Sequence, residues 1–120
     1  MALQTAKAIY LQLADDIMDA ILDKSFTTGE RIPSVREYAA RVEVNANTVM
    51  RTYEHLQQLG VIFNRRGIGY FVAEDAREVI LNTRRELFFN SETPYFFSRM
   101  KQFGVTPDEL RQMYADYIKL

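Results

Sequence analysis

The feature that most constrains this chain is a pair of short capped helices followed by a hairpin, all between residues 33 and 72. Ser34, with Glu37 three residues later, forms a capping box, which predicts the start of a helix. Asn45 predicts the N-cap of the next helix, and Gly60 predicts its end. The β-branched and aromatic runs that flank an Arg-Arg-Gly-Ile-Gly segment then predict a two-stranded hairpin. This order predicts a mostly α fold with a small β-hairpin wing, the winged helix-turn-helix.

Further helices are predicted on both sides of this region. Apolar residues at helical spacing predict a first helix over residues 9–24. Beyond residue 73, one helix is predicted to end near Phe89, another to start at Thr93-Pro94 and a last one to start at Thr106 with a second capping box.

The sequence predicts a division of the chain at Glu74-Asp75, where the pattern changes from hairpin to helix. We therefore predict a winged helix-turn-helix domain over residues 1–73 and a short C-terminal helical dimerisation segment over residues 74–120.

Composition excludes several classes of site. The chain has no cysteine and one histidine, so disulfides, thiolate metal sites and histidine-rich metal sites are all excluded. We expect no metal and no cofactor. Residues 1–10 lack the pattern of a signal peptide, and no apolar run approaches the roughly 20 residues needed to span a bilayer. We therefore expect a cytoplasmic protein that does not enter a membrane.

The charge of the chain is unevenly distributed, although its net value is only −1. Residues 31–72 carry six arginines against three glutamates, whereas residues 1–30 carry two lysines against five carboxylates. A basic middle on an acidic chain is typical of phosphate binding. Chance is the alternative, because the excess is small.

One face of the third helix carries groups suited to reading DNA. Asn47, Met50, Arg51 and Glu54 recur at helical spacing, opposite the apolar stripe. In a major groove, an Asn pairs with adenine, and an Arg pairs with guanine or contacts phosphate. Alternatively, Arg51 is simply solvated or pairs with Glu54 or His55.

Other polar groups are placed to contact the DNA backbone. Asn45 and Thr48, at the start of the third helix, can bind phosphate oxygens, cap the helix, or do both. Arg36 lies in the first turn of the second helix, where such folds cross the backbone. The hairpin tip is basic and contains glycine, which suits phosphates or a minor groove; it contains Arg65, Arg66 and Gly67. The alternatives are surface ion pairing for Arg36 and a merely solubilising turn for the tip.

Four motifs together resemble the GntR winged-helix signature: IPSVREYA at 32–39, VNANTVMRTYEHL at 44–56, GVI at 60–62 and GIGYFV at 67–72. The third helix is similar to that of the YtrA-type subfamily. The resemblance implies a DNA-binding face comprising Arg36, Asn45, Asn47, Thr48, Arg51 and the wing tip near Arg66 and Gly67. Ala46 and Tyr70 depart from the family pattern, which leaves the base preference open.

The resemblance also implies that the tail dimerises and that the chain regulates transcription, as a repressor, with a membrane-transporter operon as one kind of target. The tail is rich in aromatic residues, more than so short a segment can bury alone. We expect the following to lie in a homodimer interface: Leu87, Phe88, Phe96, Phe97, Phe103, Tyr114 and Tyr117. There are two alternatives. The tail could fold back onto its own winged helix, or its helices could form a pocket for a small-molecule effector, although the tail is short for an enclosed pocket.

The preferred hypothesis is therefore a dimeric regulator that binds a palindromic operator in double-stranded DNA. A winged helix used for protein–protein docking is a second hypothesis, but it would need apolar anchors where the third helix has mainly polar groups. An enzyme is a third, and the sequence shows no paired nucleophile and base for one.

Overall fold

A computed structural model describes residues 7–120. Residues 1–6, which include most of the segment considered above as a signal peptide, lie outside the described residues. The described chain forms two compact units, residues 7–84 and residues 85–120. In the described part of the chain, no helix combines the length and the apolar character that crossing a membrane requires.

Three helices form the first half of the larger unit: α1 (Ile9–Leu22), α2 (Val35–Val42) and α3 (Ala46–Leu59). The capping box predicted before α2 is formed, since the Ser34 hydroxyl accepts from the Glu37 amide and the Glu37 carboxylate accepts from the Ser34 amide. The left-handed Gly60 ends α3, as predicted.

The wing is an antiparallel pair of strands, β1 (Ile62–Arg65) and β2 (Gly69–Val72), with Ile62 opposite Val72. On the other side of β2, residues 29–32 make backbone hydrogen bonds around an isolated bridge between Arg31 and Phe71, a pairing that the sequence pattern did not predict. The Ile32 amide donates to the Tyr70 carbonyl, and the Val72 amide donates to the Glu30 carbonyl.

The core of this unit lies between α1, α3 and the wing, and its largest fully buried side chains include Ile17, Ile32, Val49, Tyr53, Leu56, Val61 and Ile62. Ala76 and Ile80 are also buried in it. Arg77 donates to the Leu22 carbonyl at 3.0 Å, and Arg84 pairs with Asp19 at 2.8 Å. This compact unit therefore extends to residue 84, because the first two turns of the following helix complete its core, whereas the sequence predicts a division at 73/74.

That helix, α4 (Ala76–Leu87), begins the tail, which continues with α5 (Thr93–Phe103) and α6 (Pro107–Ile118). Between α4 and α5, residues Phe88–Glu92 form a π-helical turn. The prediction of a helix break before Thr93 was wrong, since the flanking residues Leu87 and Glu92 keep helical angles. Pro94 follows the wide turn. A proline inside a helix lacks an amide hydrogen and crowds the carbonyl four residues earlier, and a wide turn accommodates both effects.

The buried Tyr53 makes the stability of the fold depend on pH. Its side chain is fully buried, and its hydroxyl donates to the Pro33 carbonyl at 2.7 Å. Burial, with a smaller contribution from Tyr38, raises the pKa of the Tyr53 phenol. An unfolded chain loses this proton near pH 10 whereas the folded chain keeps it, so stability should fall above pH 10, by about 1.4 kcal/mol per pH unit. Below pH 10 the phenol is neutral in both states and contributes no pH dependence.

At pH 7 we expect Tyr53→Phe to be about 1 kcal/mol less stable than the wild type, because the hydrogen bond to Pro33 is gone. Between pH 9 and 11, however, the free energy of unfolding of the variant should fall by about 1.4 kcal/mol less than that of the wild type. Urea unfolding at the three pH values measures both effects. Parallel pH profiles for wild type and Tyr53→Phe would contradict the assignment.

Candidate nucleic-acid interface

The outer face of α3 is polar and open. Asn47, Met50, Arg51 and Glu54 are all exposed, whereas the opposite face buries Val49, Thr52, Tyr53 and Leu56. This is the division that the sequence predicts. A helix with short polar side chains on its outer face at the N-terminal end fits the major groove and can present hydrogen-bonding groups to base edges.

The start of α3 combines capping with free polar groups. The Asn45 side-chain oxygen accepts from the Asn47 amide at 2.7 Å, which confirms the predicted cap. This bond occupies one acceptor, and the exposed Asn45 keeps its amide donors. Thr48 is half-buried, and its backbone carbonyl accepts from the Thr52 hydroxyl. Both residues therefore retain groups with which to bind phosphate.

Arg51 has an aromatic neighbour that the sequence analysis did not identify. Its guanidinium carbon lies 3.9 Å from the centroid of the Tyr10 ring. Among residues 7–120, Arg51 takes part in no ion pair, so the alternative of a pair with Glu54 or His55 is not realised. A cleft of about 340 Å³ joins the start of α1 to this part of α3, and Asn47, Thr48 and Arg51 line it together with Ala8, Ile9 and Tyr10.

The wing tip is a tight turn in which the Ile68 amide donates to the Arg65 carbonyl and Gly67 adopts a left-handed conformation (φ 77°). Arg65, Arg66 and Gly67 are exposed, as predicted. The Arg65 guanidinium lies 5.2 Å from the Phe71 ring centroid. The tip therefore holds two basic side chains at the end of a defined hairpin.

Arg31, the residue bridged to Phe71, also contacts this tip through its side chain, a role that the sequence did not predict. Its Nε donates to the Ile68 carbonyl at 3.2 Å. A Cβ at position 69 would lie 2.7 Å from the same Nε, so Gly69 is what allows this approach. Arg31 and Gly69 are 38 positions apart in the sequence, so no local sequence pattern could have predicted this contact.

Arg36 is exposed in the first turn of α2, beside the capping box. Hydrogen bonds from Ser34 lower the pKa of Glu37, and the nearby cations Arg31 and Arg41 act in the same direction. Glu37 is therefore ionised at neutral pH and fixes the N-terminus of α2. Arg36 takes part in no ion pair within the described residues, so the alternative of surface pairing is not realised.

Tyr70, one of the two departures from the family pattern, faces inward. Its ring meets Tyr53 edge-on, with centroids 5.0 Å apart, and it packs against the core. Ala46, the other departure, is the exposed first residue of α3. Of the two, only Ala46 is exposed at the face that the resemblance assigns to DNA.

Comparison with known proteins identifies the type of interface. Residues 9–72 match the model of the family described as bacterial regulatory proteins, gntR family. The chain belongs to the GntR family. It is 38% identical over 107 residues to the HTH-type transcriptional regulator YhcF of Bacillus subtilis, covering 89% of this chain and 87% of YhcF. It is 31% identical over 78 residues to the HTH-type transcriptional repressor YtrA of the same organism, covering 65% of this chain and 60% of YtrA.

The fold of this GntR protein is shared with solved structures. A GntR-family protein from Bacteroides thetaiotaomicron superimposes with a TM-score of 0.83 at 48% identity, covering 93% of this chain and 97% of the other. The winged-helix prediction is thereby confirmed. This GntR protein is a transcriptional regulator that binds DNA, and the family to which it belongs is not one of enzymes.

Proposed function

We propose that this GntR protein is a sequence-specific repressor that binds a palindromic operator as a homodimer. The observation that carries the proposal is the tail: no residue between 85 and 120 is buried, yet the segment is rich in aromatic residues. A helical unit without a buried face is marginal in water, and burial against a second copy supplies the missing core.

The residues expected in the dimer interface support this assignment, because each exposes about half of its side chain or more: Leu87, Phe88, Phe96, Phe97, Phe103, Tyr114 and Tyr117. Monomeric proteins rarely expose contiguous apolar patches larger than a few hundred Å². A two-fold axis brings the same patch from both copies together.

The tail also contains an apolar groove of about 840 Å³, lined by Phe88, Phe96, Phe97 and Tyr114 among others. Its volume lies within the range of small-molecule sites, although the short length of the tail predicts no enclosed pocket. The groove is open, and the residues that line it include four of the seven predicted dimer contacts. We assign it to the second copy, so an effector would have to compete for the same surface.

In the proposed complex each α3 enters a major groove, where Asn47 and Arg51 contact base edges. Asn45, Thr48 and Arg36 bind the adjacent phosphates, and the wing tip contacts the flanking backbone. Asn47, Arg51 and Arg36 are exposed, and the two arginines take part in no ion pair among residues 7–120, which supports the assignment. The two-fold symmetry of the dimer would be mirrored in the half-sites.

Repression is the mode that the similarity to YtrA supports, since YtrA carries that description. A dimer seated on an operator within a promoter would obstruct the polymerase. The transporter operon is a target class that rests on the family resemblance alone. A promoter–reporter fusion carrying the selected operator tests the sign of regulation: loss of the protein should raise expression, and a fall in expression would contradict repression.

Selection of bound fragments from randomised duplexes, followed by sequencing, tests the whole proposal. We expect a two-fold symmetric consensus. An asymmetric consensus would contradict the dimer, and no enrichment over the input would contradict sequence-specific binding.

We expect Phe97→Glu combined with Tyr114→Glu to convert the dimer to a monomer of 14.0 kDa, because two charges would have to enter an apolar interface. Operator affinity should fall by about 10²- to 10⁴-fold, since each half-site would then be bound separately. Analytical ultracentrifugation and fluorescence anisotropy measure the two effects. Gln102→Glu adds a charge at another exposed position of α5 and should change neither. A doubly substituted protein that remains dimeric would contradict the interface.

A further inference from the structure

Tyr10, in the first turn of α1, contacts α3 through both its backbone and its ring. Its carbonyl accepts from the buried Thr52 hydroxyl at 2.9 Å. Its ring meets His55 edge-on, with centroids 6.0 Å apart, and Arg51 lies 3.9 Å from the ring centroid. One turn of α3 therefore fixes both the position of Tyr10 and the orientation of its ring.

The distance between the Arg51 guanidinium and the Tyr10 ring favours a stacked arrangement, which leaves the edge of the guanidinium open. At 3.9 Å from the ring centroid, the guanidinium carbon is within stacking distance. The five N–H donors of a guanidinium lie in its plane, and they are the groups that bind guanine O6 and N7. Stacking on Tyr10 and bidentate contact with a base are therefore compatible.

A free arginine side chain loses considerable rotamer freedom when it binds a base, and this loss weakens binding. Tyr10 restricts the Arg51 side chain before DNA arrives. The ring is half-buried, so it also shields one face of the guanidinium from water. Both effects favour contacts that Arg51 makes, and neither acts on contacts made elsewhere on the protein.

We propose that Tyr10 is a positioning residue that orients Arg51 for base contact and so determines specificity. The inference rests on the proposed function, because it needs Arg51 to read a base. The competing roles are a phosphate contact made by the Tyr10 hydroxyl itself and a purely structural role in joining α1 to α3.

Two substitutions separate these roles. Tyr10→Phe keeps the ring and removes the hydroxyl, whereas Tyr10→Leu removes the ring and keeps an apolar side chain. The Thr52 hydroxyl donates to the backbone carbonyl of residue 10, so both variants can keep this hydrogen bond. The probes are the duplex selected by the wild type from the randomised pool and a scrambled duplex of the same composition.

We expect Tyr10→Leu to lose about 3- to 10-fold in affinity per half-site on the selected duplex, and little on the scrambled one. Tyr10→Phe should match the wild type on both. In an Arg51→Ala background, Tyr10→Leu should cause no further loss on the selected duplex. Equal losses on both duplexes, additive losses with Arg51→Ala, or a Tyr10→Phe variant as weak as Tyr10→Leu would each overturn the positioning role.

Nuclear magnetic resonance of the free protein gives a second measurement that does not depend on DNA. The Arg51 Nε–H proton lies near the ring, so we expect it to be shifted upfield in the wild type and in Tyr10→Phe. An unshifted proton in the wild type would overturn the proposal even if Tyr10→Leu fails to fold. Failure of the randomised pool to yield any sequence would refute the proposed function, whereas equal losses on a selected duplex would refute the role of Tyr10 alone.

Discussion

Operator affinity is expected to fall by about 10³- to 10⁵-fold when the salt concentration rises from 50 to 200 mM. In the proposed complex each protomer offers Arg36, Arg65, Arg66 and the N-terminus of α3 to phosphates, and the dimer would double the number. A complex with roughly 6–10 phosphate contacts releases a comparable number of condensed counterions, which is why its affinity depends so steeply on salt. Fluorescence anisotropy with the selected duplex, titrated at several KCl concentrations, measures the slope. A nearly flat plot would contradict the phosphate contacts as a set.

Arg66→Ala tests how much the wing contributes to the dependence of operator affinity on salt concentration. We expect weaker binding to every sequence and a slope reduced by about one per protomer, because in the proposed complex the exposed tip contacts the backbone and not the bases. Lys119→Ala removes the same charge from an exposed position at the end of the tail and should leave the slope as it is. If Arg66→Ala also leaves it unchanged, the wing does not contact phosphate.

The sequence predicted well those features that depend on residues a few positions apart. The capping boxes of α2 and α6, the Asn45 cap and the left-handed Gly60 are all present. Each signal works through hydrogen bonds or backbone angles within one helical turn. The polar face of α3 was predictable for the same reason, because helical spacing alone determines which residues lie opposite the buried stripe.

Features that depend on contacts across the fold were missed. The Arg31 contact with the wing joins residues 37 positions apart, and the Thr52 contact with Tyr10 joins residues 42 apart. The isolated bridge between Arg31 and Phe71 has no alternating sequence pattern from which it could be predicted. In α4, Ala76 and Ile80 are four residues apart on one face. The spacing predicts that this face is buried, but it does not predict that the face packs into the core of the larger unit.

The same distinction applies to the candidate site. Residue types and helical spacing were enough to nominate Arg51, because an arginine on the exposed face of a recognition helix has a known chemistry with guanine. Its orientation was not accessible, because that depends on a ring 41 positions earlier in the chain. In the tail, the abundance of aromatic residues indicated that a partner was needed, whereas the groove between α5 and α6 emerged only from their packing.

Removing the Arg51 side chain should have the largest effect of any single substitution on specificity. A bidentate arginine–guanine pair contributes about 1–3 kcal/mol of discrimination, and the dimer makes it twice. Arg51→Ala should therefore weaken binding to the selected duplex by roughly 30- to 10⁴-fold. On a scrambled duplex the loss should be much smaller, because only the general attraction of one positive charge per protomer disappears there.

The charge-matched control for this substitution is Arg41→Ala, which removes an exposed arginine from the last turn of α2. We expect it to affect the selected and scrambled duplexes equally, because Arg41 is not on the outer face of α3. Paired titrations of both variants on both duplexes at one salt concentration give the four affinities needed. If Arg51→Ala also weakens the two duplexes equally, Arg51 contacts the backbone, and base reading must then be reassigned to Asn47 and its neighbours on α3.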